Sequence, residues 1–186
     1  MKPMIGQKKF GRAMFELKYN APKEIHYLID WSCNDNNRLI TKNLYETIIN
    51  FYNGERINFL CSWFCGLEYE YFDKMGFDCH YYDVDEYVCK ANRGLTDKIY
   101  NVDVIFDKVK IEEGLYVNKF CEDTYPIGKI YKGEFVLIGS DNDHLACINQ
   151  IHNIDTLIEQ NELTKIYHTK TFKGLFNYYM VAGCNL

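Results

Sequence analysis

What the 186-residue sequence lacks narrows it first. No stretch approaches the ~20 consecutive apolar residues of a membrane helix, so no membrane span is expected. There is no basic surplus. Lys and Arg total 21 against 26 Asp and Glu, a net charge of -5. That balance disfavours a broad nucleic-acid-binding face. Lys2, Lys8, Lys9 and Arg12 do cluster near the start, but a solvated helix face accounts for them. Repeats, low-complexity tracts and linkers rich in Gly, Ser or Pro are absent, so one domain with a short extension is expected.

The opening MKPMIGQKKFGRAMF lacks the apolar segment of a secretory leader. A reducing cytoplasm is therefore expected for the eight cysteines, at 33, 61, 65, 79, 89, 121, 147 and 184. Most sit within apolar runs and read as free buried thiols. Cys61 and Cys65 look like half a zinc site, but no second half lies at zinc spacing, so no metal is expected.

What is present is enough apolar residue, 47%, for a sizeable core. Residues 1–55 read as a helical N-terminal extension. NNRLITKNLYETIINFYNGE spaces Leu39, Ile40, Leu44, Ile48, Ile49 and Tyr52 at helical intervals, and Asn53-Gly54 closes it. PKEIHYLIDW reads as one or two short helices. Over residues 56–186 strands and helices alternate. The strands are INFLCSW, DCHYYDVD, KIYNVDVIF, EGLYVNKFCE and GEFVLIGSDN, with helices at LEYEYFDKM, EYVCKANRGL and NIDTLIEQNEL. KIYHTKTFKGLFNYYMVAG reads as a hairpin turning at Lys173-Gly174. This alternation predicts an α/β fold: a mostly parallel sheet covered on both faces, ending in an antiparallel edge. In such sheets ligands sit at the carboxyl ends of the strands, where strand order reverses.

The turn after the first strand holds Ser62, Trp63, Phe64 and Cys65 before its only glycine, Gly66. Glycines there let backbone approach a nucleotide-like ligand, and the next helix offers its amides. Asp83 ends the second strand at a spacing that suits an acid accepting from ribose hydroxyls. Asp85 reads as the cap of the helix that follows. Asp103 stands amid Val102, Val104 and Ile105, where a carboxylate needs a partner. An adenine amine is one reading and a strand-end acid facing water is the other.

With these residues in place, the stretch from Ile57 to Cys184 resembles class I S-adenosylmethionine-dependent methyltransferases. The resemblance implies a Rossmann-like seven-stranded sheet with a C-terminal antiparallel hairpin, and S-adenosylmethionine as cofactor. It implies a cofactor-binding set of Ser62, Trp63, Phe64, Gly66, Asp83, Asp103 and Asn118. VNKFCEDTYPI followed by GEFVLIGSDNDHLACI is similar to a little-described branch of that family. By that likeness Asn118, Cys121, Glu122, Asp143, His144 and Cys147 line or support the substrate side. The family's turn usually carries three alternate glycines, and here Ser62 and Phe64 stand at the first two. A dinucleotide is disfavoured, because pyrophosphate needs the close approach that glycines allow, whereas S-adenosylmethionine has no phosphate. The family's Asn-Pro-Pro-Tyr signature for amino methylation of bases is absent. Tyr125 and Trp63 are candidates to stack on a flat substrate.

The expectation is methyl transfer to a small-molecule acceptor, with His144 and Glu122 as candidate proton acceptors. Two alternatives stay open: a methyltransferase-fold binding or accessory protein without catalysis, and a lyase or aminocarboxypropyl transferase using the same cofactor.

Overall fold

A computed structural model describes residues 10–107, 109–144 and 147–186. Lys2, Lys8 and Lys9 lie outside the described residues. Three helices come first: α1 (Phe10–Asn20), α2 (His26–Ser32) and α3 (Asp35–Phe51). Asn34 caps α3 by accepting from the Asn37 amide at 2.8 Å. The alternating region follows: β1 (Arg56–Leu60), α4 (Gly66–Tyr71), β2 (Asp78–Asp83), α5 (Glu86–Asn92), β3 (Ile99–Asn101), β4 (Leu115–Asn118), β5 (Glu134–Ser140), α6 (Ile154–Gln160), β6 (Lys165–Lys173) and β7 (Asn177–Cys184).

The seven strands form one sheet in the order β3-β2-β1-β4-β5-β7-β6. Pairing is parallel from β3 through β5, and antiparallel between β5 and β7 and between β7 and β6. The central strands are buried on both faces, which is why β1, β4 and β5 read as nearly continuous apolar runs. Neighbouring residues divide between the faces with period two. Phe59, Tyr81, Val136 and Ile138 pack into one cluster, and Leu60, Tyr82, Phe135 and Leu137 into the other. Ile40, Leu44 and Ile48 of α3 join the first cluster, so the N-terminal helices and the sheet share a core. Leu157 of α6 joins the second. No helix of the described residues is long and apolar enough to cross a membrane.

Several strands are shorter than their apolar runs predicted, and each has a local cause. β1 stops at Leu60 because Cys61 turns to φ 54°. β3 was expected to run through Phe106 but stops at Asn101. Asp103 then accepts from the Ile105 and Phe106 amides at 2.9 and 3.0 Å and folds the chain into a turn. β4 was expected to reach Glu122 but stops at Asn118, whose Oδ1 accepts from the Phe120 amide at 2.9 Å. A single 3-10 turn over Cys121–Asp123 follows.

Candidate active site

Strand order reverses between β1 and β4, and the candidate residues gather at the carboxyl ends of β1, β2, β4 and β5. The turn after β1 is held in place by two side chains. The Trp63 amide donates to Asp83 Oδ2 at 2.8 Å. Asn92 of α5 accepts from the Cys65 amide at 3.1 Å and donates to the Trp63 carbonyl at 2.7 Å. These bonds hold Cys61 and Trp63 in the left-handed region, at φ 54° and 53°. Non-glycine residues are strained there by about 1 kcal/mol or more each.

The glycine-like conformations thus fall at positions 61 and 63, one residue away from the expected 62 and 64. Ser62 has an ordinary backbone and donates from its amide to the Tyr82 carbonyl at 2.9 Å. Its hydroxyl and the Trp63 Nε1 are buried without a hydrogen-bond partner among the described residues. The Phe64 ring is 2% exposed and packs with Leu17, Ile29, Val88 and Ala91. Gly66 serves the same helical cover, because a Cβ there would come within 2.9 Å of Leu17 Cδ1 on α1.

Asp83 is 9% exposed. Burial pushes its carboxyl up, and the amides of Asp85 and Trp63 pull it back down. A carboxylate has about four acceptor positions, so two amides leave it capacity for further donors. Asp85 caps α5 through the Tyr87 and Val88 amides, at 2.8 and 3.1 Å.

Three adjoining cavities form one cleft. A slot of about 240 Å³ is lined by Val102, Asp103, Val104, Ile105, Phe106 and Tyr125, and opens past Asp83. A middle chamber of about 430 Å³ lies between Trp31, Cys61, Trp63, Asp83 and Phe120. A third, of about 470 Å³, is bounded by Trp31, Asn36, Phe120, Glu122, His144, Cys147 and Tyr178. Asp123 touches all three.

Glu122 is 5% exposed and accepts from the Ser140 hydroxyl and amide. Burial raises its carboxyl to about 7, against the pull of Ser140. His144 is exposed on the rim of the third cavity, where its carbonyl accepts from the Cys147 amide at 2.8 Å. Burial and a hydrogen bond to Asp123 push the Cys147 thiol to about 11. Asp143 is exposed. Among the described residues no cluster of ligands suits a metal ion.

No family model and no curated protein matches the sequence. Similarity appears among solved structures. Magnesium protoporphyrin IX methyltransferase from Synechocystis PCC 6803, with bound S-adenosylmethionine, superposes with a TM-score of 0.65 at 8% identity, over 99% of this chain and 100% of that one. A SAM-dependent methyltransferase from Leishmania major gives 0.63 at 12% identity, over 94% and 82%. A putative O-methyltransferase from Klebsiella pneumoniae gives 0.59 at 10% identity, over 98% and 92%.

The chain has the class I methyltransferase fold.

Within that fold the structure draws Glu122, His144 and Cys147 to one cavity, and Trp63, Asp83 and Asp103 to the chambers beside it. It leaves Ser62, Phe64, Gly66 and Asn118 out of the cleft walls. Asn118 is buried beneath the floor. Its Nδ2 donates to Thr124 Oγ1 at 2.6 Å, so it shapes the turn that carries Glu122. Cys121 faces the core. Asp103 is no lone buried acid, because backbone amides are its partners. Sequence reasoning missed Trp31, Asn36, Asn92, Phe120, Asp123 and Tyr178. The Glu122-Asp123 doublet could have flagged Asp123. Trp31 and Asn36 enter only through the packing of the N-terminal helices against the hairpin.

Proposed function

We propose that this protein binds S-adenosylmethionine across the first two chambers and methylates a small acceptor held in the third. The observation that carries the reading is the fixed Asp83 carboxylate at the point where the chambers meet, beside an apolar slot. The residues present fit the cofactor's parts. Val102, Val104 and Ile105 offer an apolar slot for adenine. Asp83 has acceptor capacity for ribose hydroxyls. Ser62 and Trp63 bring unpaired buried donors to the turn. S-adenosylmethionine supplies an activated methyl group when bound.

The rest of the chemistry falls to the chain. An N–H or O–H acceptor must lose a proton as it is methylated. Glu122, raised to about 7, can take it at neutral pH, with His144 on the rim as the alternative acceptor. Trp31 and the N-terminal helices flank the chambers and limit water access. We read residues 1–55 as the segment that covers the acceptor, and 56–186 as the catalytic domain. The net charge of -5 supports a small molecule over nucleic acid. The eight unpaired thiols suit a reducing cytoplasm.

Calorimetric titration with S-adenosylmethionine, S-adenosylhomocysteine and NAD tests the reading. Heat from the first two alone is expected, and no heat from either would remove it. Turnover then divides the enzyme classes. S-adenosylhomocysteine formed only when an acceptor is present marks a methyltransferase. Cofactor consumed without an acceptor marks a lyase, and binding without turnover marks an accessory protein.

A further inference from the structure

The third cavity sets aromatic rings among asparagines and aliphatic side chains, and its carboxylates give it fixed charge of one sign. Its aromatic residues are Trp31, Phe120, Phe176 and Tyr178. Two of these rings are braced: Tyr178 stacks on Phe172 at 5.3 Å, meets Phe176 edge-on at 6.4 Å, and accepts from Asn36 Nδ2 at 2.8 Å through its hydroxyl. Glu122 and Asp123 lie along the same cavity, and among the described residues no Lys or Arg lines it. His144 is the remaining titratable group besides Cys147 and Tyr178. Lys119 precedes Phe120 in the chain, but its ammonium is engaged by the buried Glu68 carboxylate, which also accepts from Thr41. That ammonium sits 5.2 Å from the Phe120 ring centroid, so Phe120 already has a cation on its ring and the attraction for a ligand falls to Trp31, Phe176 and Tyr178.

Ring faces and carboxylates both attract cations and repel anions. A neutral alcohol can donate a hydrogen bond to the carboxylates but brings no charge to them or to the rings. A carboxylate as buried as Glu122 also favours a ligand that brings a counter-charge. We propose that the third cavity binds its acceptor as an organic ammonium, a small primary or secondary amine on an apolar or aromatic body, which passes a proton to the Glu122 carboxylate so that the freed nitrogen lone pair attacks the sulfonium methyl and S-adenosylhomocysteine leaves. This inference rests on the methyltransferase reading and names the acceptor class for it.

The test uses full-length protein at pH 8 and three probes with an aromatic body and different heads: phenethylamine, 2-phenylethanol and 3-phenylpropanoate. Each is titrated by calorimetry with and without saturating S-adenosylhomocysteine. The amine is expected to bind at least about tenfold tighter than either of the others. Glu122→Gln, Asp123→Asn and Trp31→Ala, each alone, are expected to weaken it about tenfold. Asp123 and Trp31 are exposed, so those two substitutions leave the fold intact whatever Glu122→Gln does. An alcohol or carboxylate that binds as well as the amine overturns the proposal, as does amine affinity indifferent to all three substitutions. S-adenosylhomocysteine binding without amine binding in either state overturns this inference alone. Amine binding without cofactor binding supports the ammonium site and overturns the methyltransferase reading.

Discussion

At the β1–β2 end of the cleft side chains hold the backbone, whereas at the β4–β5 end side chains chiefly hold one another. Asp83 and Asn92 pin the Cys61–Cys65 turn through three hydrogen-bonded backbone groups and so stabilise a path that glycines would take without strain. Asn118, Ser140 and the turn over Cys121–Asp123 instead present Glu122 to a cavity. The first arrangement tolerates loss of glycine so long as its two anchors remain. The second depends on the chemistry of single side chains, so under the proposed function acceptor specificity belongs there.

The largest effect should come from Phe64, which the structure buries in the helical cover. Phe64→Ala removes a buried ring from the helical cover and should cost about 3–5 kcal/mol in urea unfolding. The surviving folded protein should still bind S-adenosylhomocysteine within about threefold of the parent. A collapse of affinity with stability intact would return Phe64 to the cofactor site. Asp83→Ala should do the reverse. Loss of two charge-assisted bonds to ribose hydroxyls, about 1.5 kcal/mol each, predicts a roughly hundredfold weaker calorimetric affinity. An affinity within a few-fold of the parent would show that backbone alone makes this half of the site.

These two residues also mark how far the sequence could be read. Strand order and sheet type followed from apolar runs alternating with helical spacing, because buried parallel strands leave that trace whatever their ends do. Strand ends did not, since Asp103 and Asn118 stop the chain with side-chain bonds to amides two and three residues on. Asp83 was legible because its spacing from the turn is set by one strand-helix-strand unit. The backbone of the turn was not, because left-handed conformation at Cys61 and Trp63 is imposed by partners 20 and 29 residues distant. Asn36 reaches Tyr178 across 142 residues, a contact no local pattern encodes.

Glu122→Gln probes the β4–β5 half by pH. The folded carboxyl stands near 7 and the unfolded one near 4.5, so the folded state holds a proton that the unfolded state has lost between those values. Stability from this group is full below about 4.5 and falls as pH rises to about 7, by up to roughly 3 kcal/mol. Gln keeps an acceptor for Ser140 without the charge. It should therefore stabilise the protein by about 2 kcal/mol at pH 8 and change little at pH 4.5, as read by urea midpoints at the two pH values. With an acceptor in hand, the same variant should lose about a hundredfold in turnover. Equal stability changes at both pH values would mean that the charge of Glu122 is not confined by burial.

The smallest effect tests whether α1 belongs to the turn or only lies near it. Gly66 begins α4, and an added methyl would press against Leu17 Cδ1 at 2.9 Å. Gly66→Ala should cost about 1 kcal/mol by crowding, less than a rigid backbone contact would impose, because a leucine terminus can shift. Leu17→Ala alone opens a cavity in the same place and should cost about 2–4 kcal/mol. The double variant should then lose less than the sum of the two, since the alanine methyl enters space that the leucine vacated. Strict additivity would mean that Gly66 is required by the turn itself, and the helical cover would no longer explain the one glycine that this turn retains.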